Sequence, residues 1–516
     1  MRRLVSIVVL GLIIPTLLVA KAAAKINPDN PPPGTFVDDW MIVRMAGADA
    51  GWAHSTMTRE GDQVTSGMTM HLAVARAGQK IEITISEDTT ESVAGEPLAF
   101  ESRMKLATIE TQLSGKIENG KVHISATQLG QTTEQTYDYP QGAKMNWGVM
   151  AEELRRGLKP GTEYDVATYV PSIRADGAVN THVLVQEKET IDLLGRSVEG
   201  IRVKQTIESP MMGKLDSLVW LDADGMVLKM VTPLPGIGDL EMLHADEATA
   251  KAAGGEAAEM FMNTLIKVDE PIDAKDAQAI RYKLTFTGSK DDAPPEIPRT
   301  GMQTPGPWKN RSMELRVCRI DVEKLKKLKP TAPGPGLAEY LAPNVWINND
   351  DPAIIQMAQE AAGDETQPYA VCDRLRRYVT DVIKDKNLSV GVATASEVCR
   401  KREGDCTEHA VLLAALGRAR GIPSRVVAGI VYVPTFNQAD RVFGFHMWTQ
   451  FYLGGQWVDF DAAQGESDCN PTHIAFAVGS MRDSSMGDFA FPLLRVPGQI
   501  KLQVLDTEPI RTGRTG

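Results

Sequence analysis

Between residues 39 and 249, alternation of apolar residues at period two is common, and helical spacing is scarce. A period of two restricts such a segment to strands, each offering one face to a core. Val64, Ser66, Met68, Met70, Leu72 and Val74 share one face, while Ile81, Ile83 and Ile85 alternate with Glu82, Thr84 and Ser86. Turn signals separate the runs: Asn119-Gly120 between Lys116-Ile117 and the apolar residues Val122 and Ile124, then Asp176-Gly177 and Asp224-Gly225. Residues 222–225, Asp-Ala-Asp-Gly, begin like a calcium loop but lack its remaining ligands, so they read as a hairpin turn. One short helix is predicted at about 150–158. The segment 25–262 is expected to form a large antiparallel β domain with one apolar face rich in Met.

Ala, Gly and Glu dominate 250–259, which marks a break. Beyond it Ile280, Tyr282, Leu284 and Phe286 alternate with Arg281, Lys283 and Thr285, and Met313, Leu315 and Val317 alternate with Glu314 and Arg316. A Pro-rich loop joins the two runs, and a second Pro/Gly stretch at 329–336 follows. These features predict a small β module at 263–340. Neither β region contains a nucleophile–base pattern, a phosphate loop or a metal-ligand cluster.

The chain of 516 residues, 43% hydrophobic and 24% charged, has the composition of a folded protein of about three domains. Its net charge of −12 argues against a nucleic-acid-binding body. Arg2 and Arg3 precede an apolar run from Leu4 to Ala20, and Ala22-Ala23-Ala24 supplies small residues at a cleavage point. This is the pattern of a secretory signal, so 1–24 is expected to be removed and the protein exported to the periplasm or medium. An uncleaved run would serve as a membrane anchor. In such a compartment thiols tend to pair. With Cys318, Cys372, Cys399, Cys406 and Cys469 at least one stays free or pairs between chains; if Cys406 is the free one, the other four allow three pairings. Cys372, on the apolar side of a predicted helix with Leu375, Val379 and Val382, is expected to be a buried thiol.

The segment 341–516 carries the chemistry. Asp350-Asp351-Pro352 opens one helix, a second spans about 369–383, and Thr394-Ala395-Ser396-Glu397 has the form of a capping box. Cys406 then sits in the first turn of a helix whose apolar residues Val411, Leu412, Ala415, Leu416 and Ala419 run to Gly421 and Pro423. Exposed N–H groups and the dipole at that end favour a thiolate. Residues 445–453, the Gly454-Gly455 turn and residues 456–461 read as a hairpin. Its register puts His446, Trp448, Asp459 and Asp461 on one face, with His446 diagonal to Asp461. The carboxylate would accept the Nδ1 proton and aim Nε2 at a thiol. Asp459 shares the face but lies opposite Gln450, so Asp461 is preferred as the orienting group. His409, one turn after Cys406, reads as a packing residue. Trp448 and Trp457 fit a groove lining or a core equally well, and Arg418, Arg420 and Arg425 read as solvated or salt-bridged.

Four runs carry a specific resemblance: Glu-Gly-Asp-Cys-Thr-Glu-His-Ala at 403–410, Arg-Gly-Ile-Pro-Ser-Arg at 420–425, Gly-Phe-His-Met-Trp at 444–448, and Trp-Val-Asp-Phe-Asp at 457–461. In that order they resemble the transglutaminase-like core of bacterial exported proteins. The resemblance covers the last third of the chain and implies Cys406 as nucleophile, His446 as base and acid, and Asp461 as its orienting residue. It also implies a papain-like α+β architecture, so the whole chain is expected to be an α+β multidomain protein. One departure is Ala462, where many members carry Pro. The family cleaves amides or joins amines to glutamine side chains. The expected activity is amide hydrolysis or acyl transfer through a thioester on peptide or protein substrates, without metal or organic cofactor. The Cys406 N–H would be one oxyanion donor, and Asn387 is the named candidate for the second. The alternatives are a protein-crosslinking transglutaminase, or a module that binds a lipid or protein on its Met-rich β domain while the Cys domain serves as scaffold.

Overall fold

The computed structural model describes residues 26–510 apart from 77–78, 107–108, 129–130, 210–212, 235–237, 254–257, 260–263, 289, 291–292, 386–392, 437, 466–468, 483–495 and 497. The expected leader at 1–24 and the candidate donor Asn387 lie outside the described residues. Two compact units divide the chain, 1–260 and 261–516. Among the described residues no helix is long and apolar enough to cross a membrane.

The first unit is built on one antiparallel sheet. Its strands are β1 (Gly34–Met45), β2 (Ala48–Glu60), β3 (Gln63–Arg76), β4 (Gln79–Ser92), β5 (Pro97–Leu106), β6 (Ile109–Glu118), β7 (Lys121–Gln128), β8 (Gln131–Asp138), β9 (Glu163–Thr168), β10 (Val179–Leu193), β11 (Arg196–Ser209), β12 (Gly213–Leu221), β13 (Val227–Leu234) and β14 (Gly238–Ala245). Chain neighbours pair from β1 to β8 and from β9 to β14, and β1 pairs β14, giving the order β8 to β1 followed by β14 to β9. A short β15 (Ala258–Glu259) adds in parallel to β3. The predicted face of β3 appears as registered: Met70 opposes Ile85 and Leu72 opposes Ile83. Asn119 and Gly120 both take positive φ, 53° and 71°, between β6 and β7, as a tight hairpin turn requires. Asp222 closes the 222–226 turn by accepting the N–H groups of Asp224 and Met226. Met41, Met45, Met70 and Met242 are each at most 1% exposed, so the Met-rich face is this unit's own core.

The predicted short helix is α1 (Asn146–Arg156), which starts a turn earlier than the sequence suggested. Val149 enters the core with Met41 and Val166. The buried Glu91 of β4 accepts the N–H groups of Trp147 and Gly148 at 2.6 and 2.9 Å, satisfying donors that a helix start leaves open. Burial pushes this carboxyl up to about 7, although the N–H groups of α1 draw it down. A second helix, α2 (Glu247–Ala252), is capped by Asp246.

Among its described residues the second unit contains two sheets, five α-helices and a 3-10 helix at Pro335–Tyr340. One sheet has β16 (Ile266–Lys267), β20 (Ser424–Phe436), β21 (Ala439–Leu453), β22 (Gln456–Phe460) and β23 (Ile474–Gly479); the other has β17 (Ala277–Phe286), β18 (Gln303–Pro305), β19 (Ser312–Cys318) and β24 (Ile500–Pro509). Their orders are β16-β21-β20-β23, with β22 on β21, and β18-β19-β17-β24. The helices are α3 (Val322–Leu325), α4 (Pro352–Ala362), α5 (Pro368–Val382), α6 (Ala395–Lys401) and α7 (Cys406–Ala419). Residues 263–340, expected as a separate module, share this unit: β24 completes their sheet, and Tyr282 and Leu315 lie in one core with Phe443 and Phe476. Burying that shared apolar surface is what joins them.

Candidate active site

Helix α7 begins where the sequence signalled. Asp405 accepts the Thr407 N–H at 2.8 Å, and Glu408 accepts the Asp405 N–H at 2.9 Å, completing a capping box. Glu408 also accepts the Ala393 N–H at 3.1 Å. Its carboxyl is pushed up to about 8, first by burial and then by the neighbouring Asp405 charge. Gly404 has φ +139°, and a Cβ there would fall 2.4 Å from Glu408 Cβ, so this position requires glycine. Residues 407–418 are buried all round, as in a helix enclosed by its neighbours.

Three contacts lay α7 along β21. Thr407 Oγ1 donates to Met447 Sδ, Thr449 Oγ1 donates to the Ala410 carbonyl at 2.8 Å, and Gly417 leaves room for the Phe451 ring, which a Cβ would meet at 2.1 Å. The helix start, and with it Cys406, therefore falls beside His446. The hairpin has the predicted register, Leu453 opposite Gln456 and Gln450 opposite Asp459. His446 Nε2 lies 2.8 Å from Asp461 Oδ2, and Cys406 lies close enough to the ring to favour its charged form. The carboxylate holds Nε2 and not the Nδ1 of the sequence expectation.

His446 is 9% exposed and Asp461 1%. Burial opposes charge on the ring, but the Asp461 carboxylate and Cys406 outweigh it and raise the imidazole to about 10. Burial likewise opposes the Asp461 charge, and His446 and His473 together hold that carboxyl far below its ordinary range. Asp461 Oδ1 accepts the N–H groups of Ala463 and Gln464 at 2.8 and 3.2 Å. At the departure from the family pattern, the Ala462 carbonyl accepts Thr380 Oγ1 at 2.7 Å.

Asp459 is directed elsewhere. It accepts the Gln450 amide, and Gln450 in turn accepts Arg425 Nε at 2.7 Å. Burial pushes the Asp459 carboxyl up despite Gln450 and the nearby His473. Arg425 is 8% exposed and stacks 4.2 Å over the Trp457 ring. Arg418 is 3% exposed and donates to the carbonyls of Ala342, Ser424 and Ser480. Both were expected to be solvated or salt-bridged; tertiary packing instead brings uncharged acceptors to their guanidinium groups. Arg420 bonds the Gln359 side chain. His409 Nδ1 lies 2.6 Å from the Asp405 carbonyl, a packing position as expected. Trp448 is 1% exposed, in a core with Met302 and Val427. Cys318, Cys372, Cys399 and Cys406 carry free thiols, so the expected pairing does not occur among them. Cys372 is enclosed in α5, where burial raises its thiol strongly.

Sequence reasoning missed His473. Its Nε2 lies 3.2 Å from Asp461 Oδ2, the oxygen that also holds His446. The flanking Asn470-Pro471-Thr472 signals only a turn, so nothing local indicates this meeting.

Residues 355–462 match the family model of the transglutaminase-like superfamily. No curated protein matches the chain. Similar solved structures include a candidate cysteine protease from Cytophaga hutchinsonii, 17% identical, with a TM-score of 0.30 over 45% of this chain and 89% of that one. Another is a β-barrel-like protein of a domain of unknown function from Brucella abortus, 17% identical, with a TM-score of 0.31 over 40% of this chain and 96% of that one. A third, a candidate protease from Parabacteroides distasonis, is 10% identical, with a TM-score of 0.18 over 70% of this chain and 64% of that one. Cys406, His446 and Asp461 all fall inside the 355–462 segment that matches the transglutaminase-like superfamily.

Proposed function

We propose that this chain is an exported cysteine-dependent acyl-transfer enzyme that hydrolyses amide bonds of peptides or proteins. The observation that carries the reading is the half-buried Cys406 at the start of α7 beside His446, whose ring hydrogen-bonds the buried Asp461 at 2.8 Å. His446 takes the proton from the Cys406 sulfur, and the sulfur attacks the substrate carbonyl. The Cys406 N–H, at the open end of α7, faces the oxyanion that develops. His446 then passes its proton to the leaving amine, and a thioester remains on Cys406. Water releases the acid and restores the thiol. Asp461 holds the ring in place and balances the imidazolium charge. An amine could attack the same thioester; hydrolysis is favoured because water reaches any exposed thioester.

Incubation of the purified protein with casein and a fluorescent primary amine tests the reading. New peptide termini that disappear in Cys406→Ala are expected. Cys406-dependent incorporation of the amine without new termini would replace hydrolysis by crosslinking. The export half of the proposal is read from the N-terminal residue of the secreted protein, expected at Lys25.

A further inference from the structure

The reaction above makes no use of His473, yet this side chain is 1% exposed and faces the orienting carboxylate. Asp461 Oδ2 receives His446 at 2.8 Å and His473 at 3.2 Å, while Oδ1 receives two backbone N–H groups. The His473 ring packs edge-on to Trp448, with centroids 5.2 Å apart, and its Nδ1 lies 3.2 Å from the Asn470 carbonyl. Its backbone is equally well held. Thr472 N and Oγ1 donate to Asn470 Oδ1, and the Tyr282 hydroxyl donates to the Pro471 carbonyl at 2.9 Å. The Gln303 amide pairs with both the N–H and the carbonyl of Ala475 at 2.9 Å.

His446, Asp461 and His473 bring three ligating atoms within 4.8 Å of one another, close enough to raise the question of a metal. Ligands about 2.0–2.2 Å from a tetrahedral zinc stand about 3.3–3.5 Å apart. The 2.8 Å between His446 and Asp461 is a hydrogen-bond distance.

We propose that His473 is a positioning residue: by donating to Asp461 Oδ2 it fixes the carboxylate against His446 and draws off part of its charge. This rests on the reading of Cys406, His446 and Asp461 as acyl-transfer machinery. A buried carboxylate oxygen that receives no second donor holds an imidazolium more firmly and makes it a weaker acid. Sharing the same oxygen with a second N–H weakens that hold and eases proton release to the leaving amine. The titratable and charged groups around His473 are Asp461, His446 with Cys406 beyond it, and the buried Asp459, whose other neighbours are Gln450 and Arg425. None but His473 and His446 reaches Asp461 Oδ2 among the described residues.

The test is the rate of Cys406 alkylation by iodoacetamide across pH in the full-length protein, for wild type, His473→Gln and His473→Asn. Gln reaches the place of Nε2 and keeps a donor towards Asp461; Asn is too short to do so. The alkaline inflection, where the imidazolium is lost, is expected to rise by about half a pH unit or more in the Asn variant and to stay near wild type in the Gln variant. Equal shifts in both, or none in either, would overturn the proposal, because a purely structural histidine would not separate them. His473→Leu keeps the buried volume without a donor and replaces the Asn variant if that one melts early; it is expected to shift likewise, and no shift overturns the proposal. A wild-type profile indistinguishable from His446→Ala would instead sink the acyl-transfer reading beneath it.

Discussion

At the scale of single residues, a glycine and a histidine set the site. Gly404 adopts φ +139° immediately before the capping box, and a side chain there would collide with Glu408. Gly404→Ala is therefore expected to cost about 1–3 kcal/mol, read as a lower denaturant midpoint, and to slow the reaction of Cys406. His446 links the site to pH. Its folded-state value, about 10, lies above its ordinary value near 6.5, so its stabilising contribution is complete below the latter. The contribution is lost as pH rises through about 10. Thermal melts from pH 6 to 10 should show an alkaline loss of stability that is flatter in His446→Ala. The identities of these side chains are legible in the sequence because the motif is local. Which nitrogen faces the carboxylate is not, because the ring's orientation is set only in the folded chain.

At the scale of elements, helix ends and hairpin turns are the most legible features. The Thr394 capping box and the Gly454-Gly455 turn each depend on a few adjacent residues, and each forms as the spacing indicates; the Asp405 box is just as local. The contact between α7 and β21 is less legible, since Gly417 and Phe451 meet only in the folded chain. Gly417→Ala is expected to destabilise the second unit by about 1–3 kcal/mol through overpacking. Displacing the helix also separates Cys406 from His446, so alkylation should slow even where the protein stays folded. An unchanged melting curve and rate would contradict the close approach. His473, Arg418 and Arg425 were missed or misread at this scale for one reason: their partners are carried by other elements.

At the scale of the molecule, the β-rich character of the first unit follows directly from alternation, whereas the order β8 to β1 and β14 to β9 depends on β1 pairing with β14 about 200 residues away along the chain. The same kind of distance hides β24, whose Ile500 and Leu502 close the core around Tyr282. Tyr282 in turn holds the turn before His473. Removing 500–516 is thus expected to abolish the cooperative unfolding of the second unit and make it sensitive to limited proteolysis; a resistant, cooperatively melting fragment would contradict that core. The account as a whole depends on this unit bringing a helix start and a strand together. The most direct measurement is the second-order rate of iodoacetamide reaction with Cys406 at about pH 5.5, in wild type and in His446→Ala. The account predicts fast reaction in wild type and at least a tenfold fall in the variant; equal, slow rates in both would contradict it.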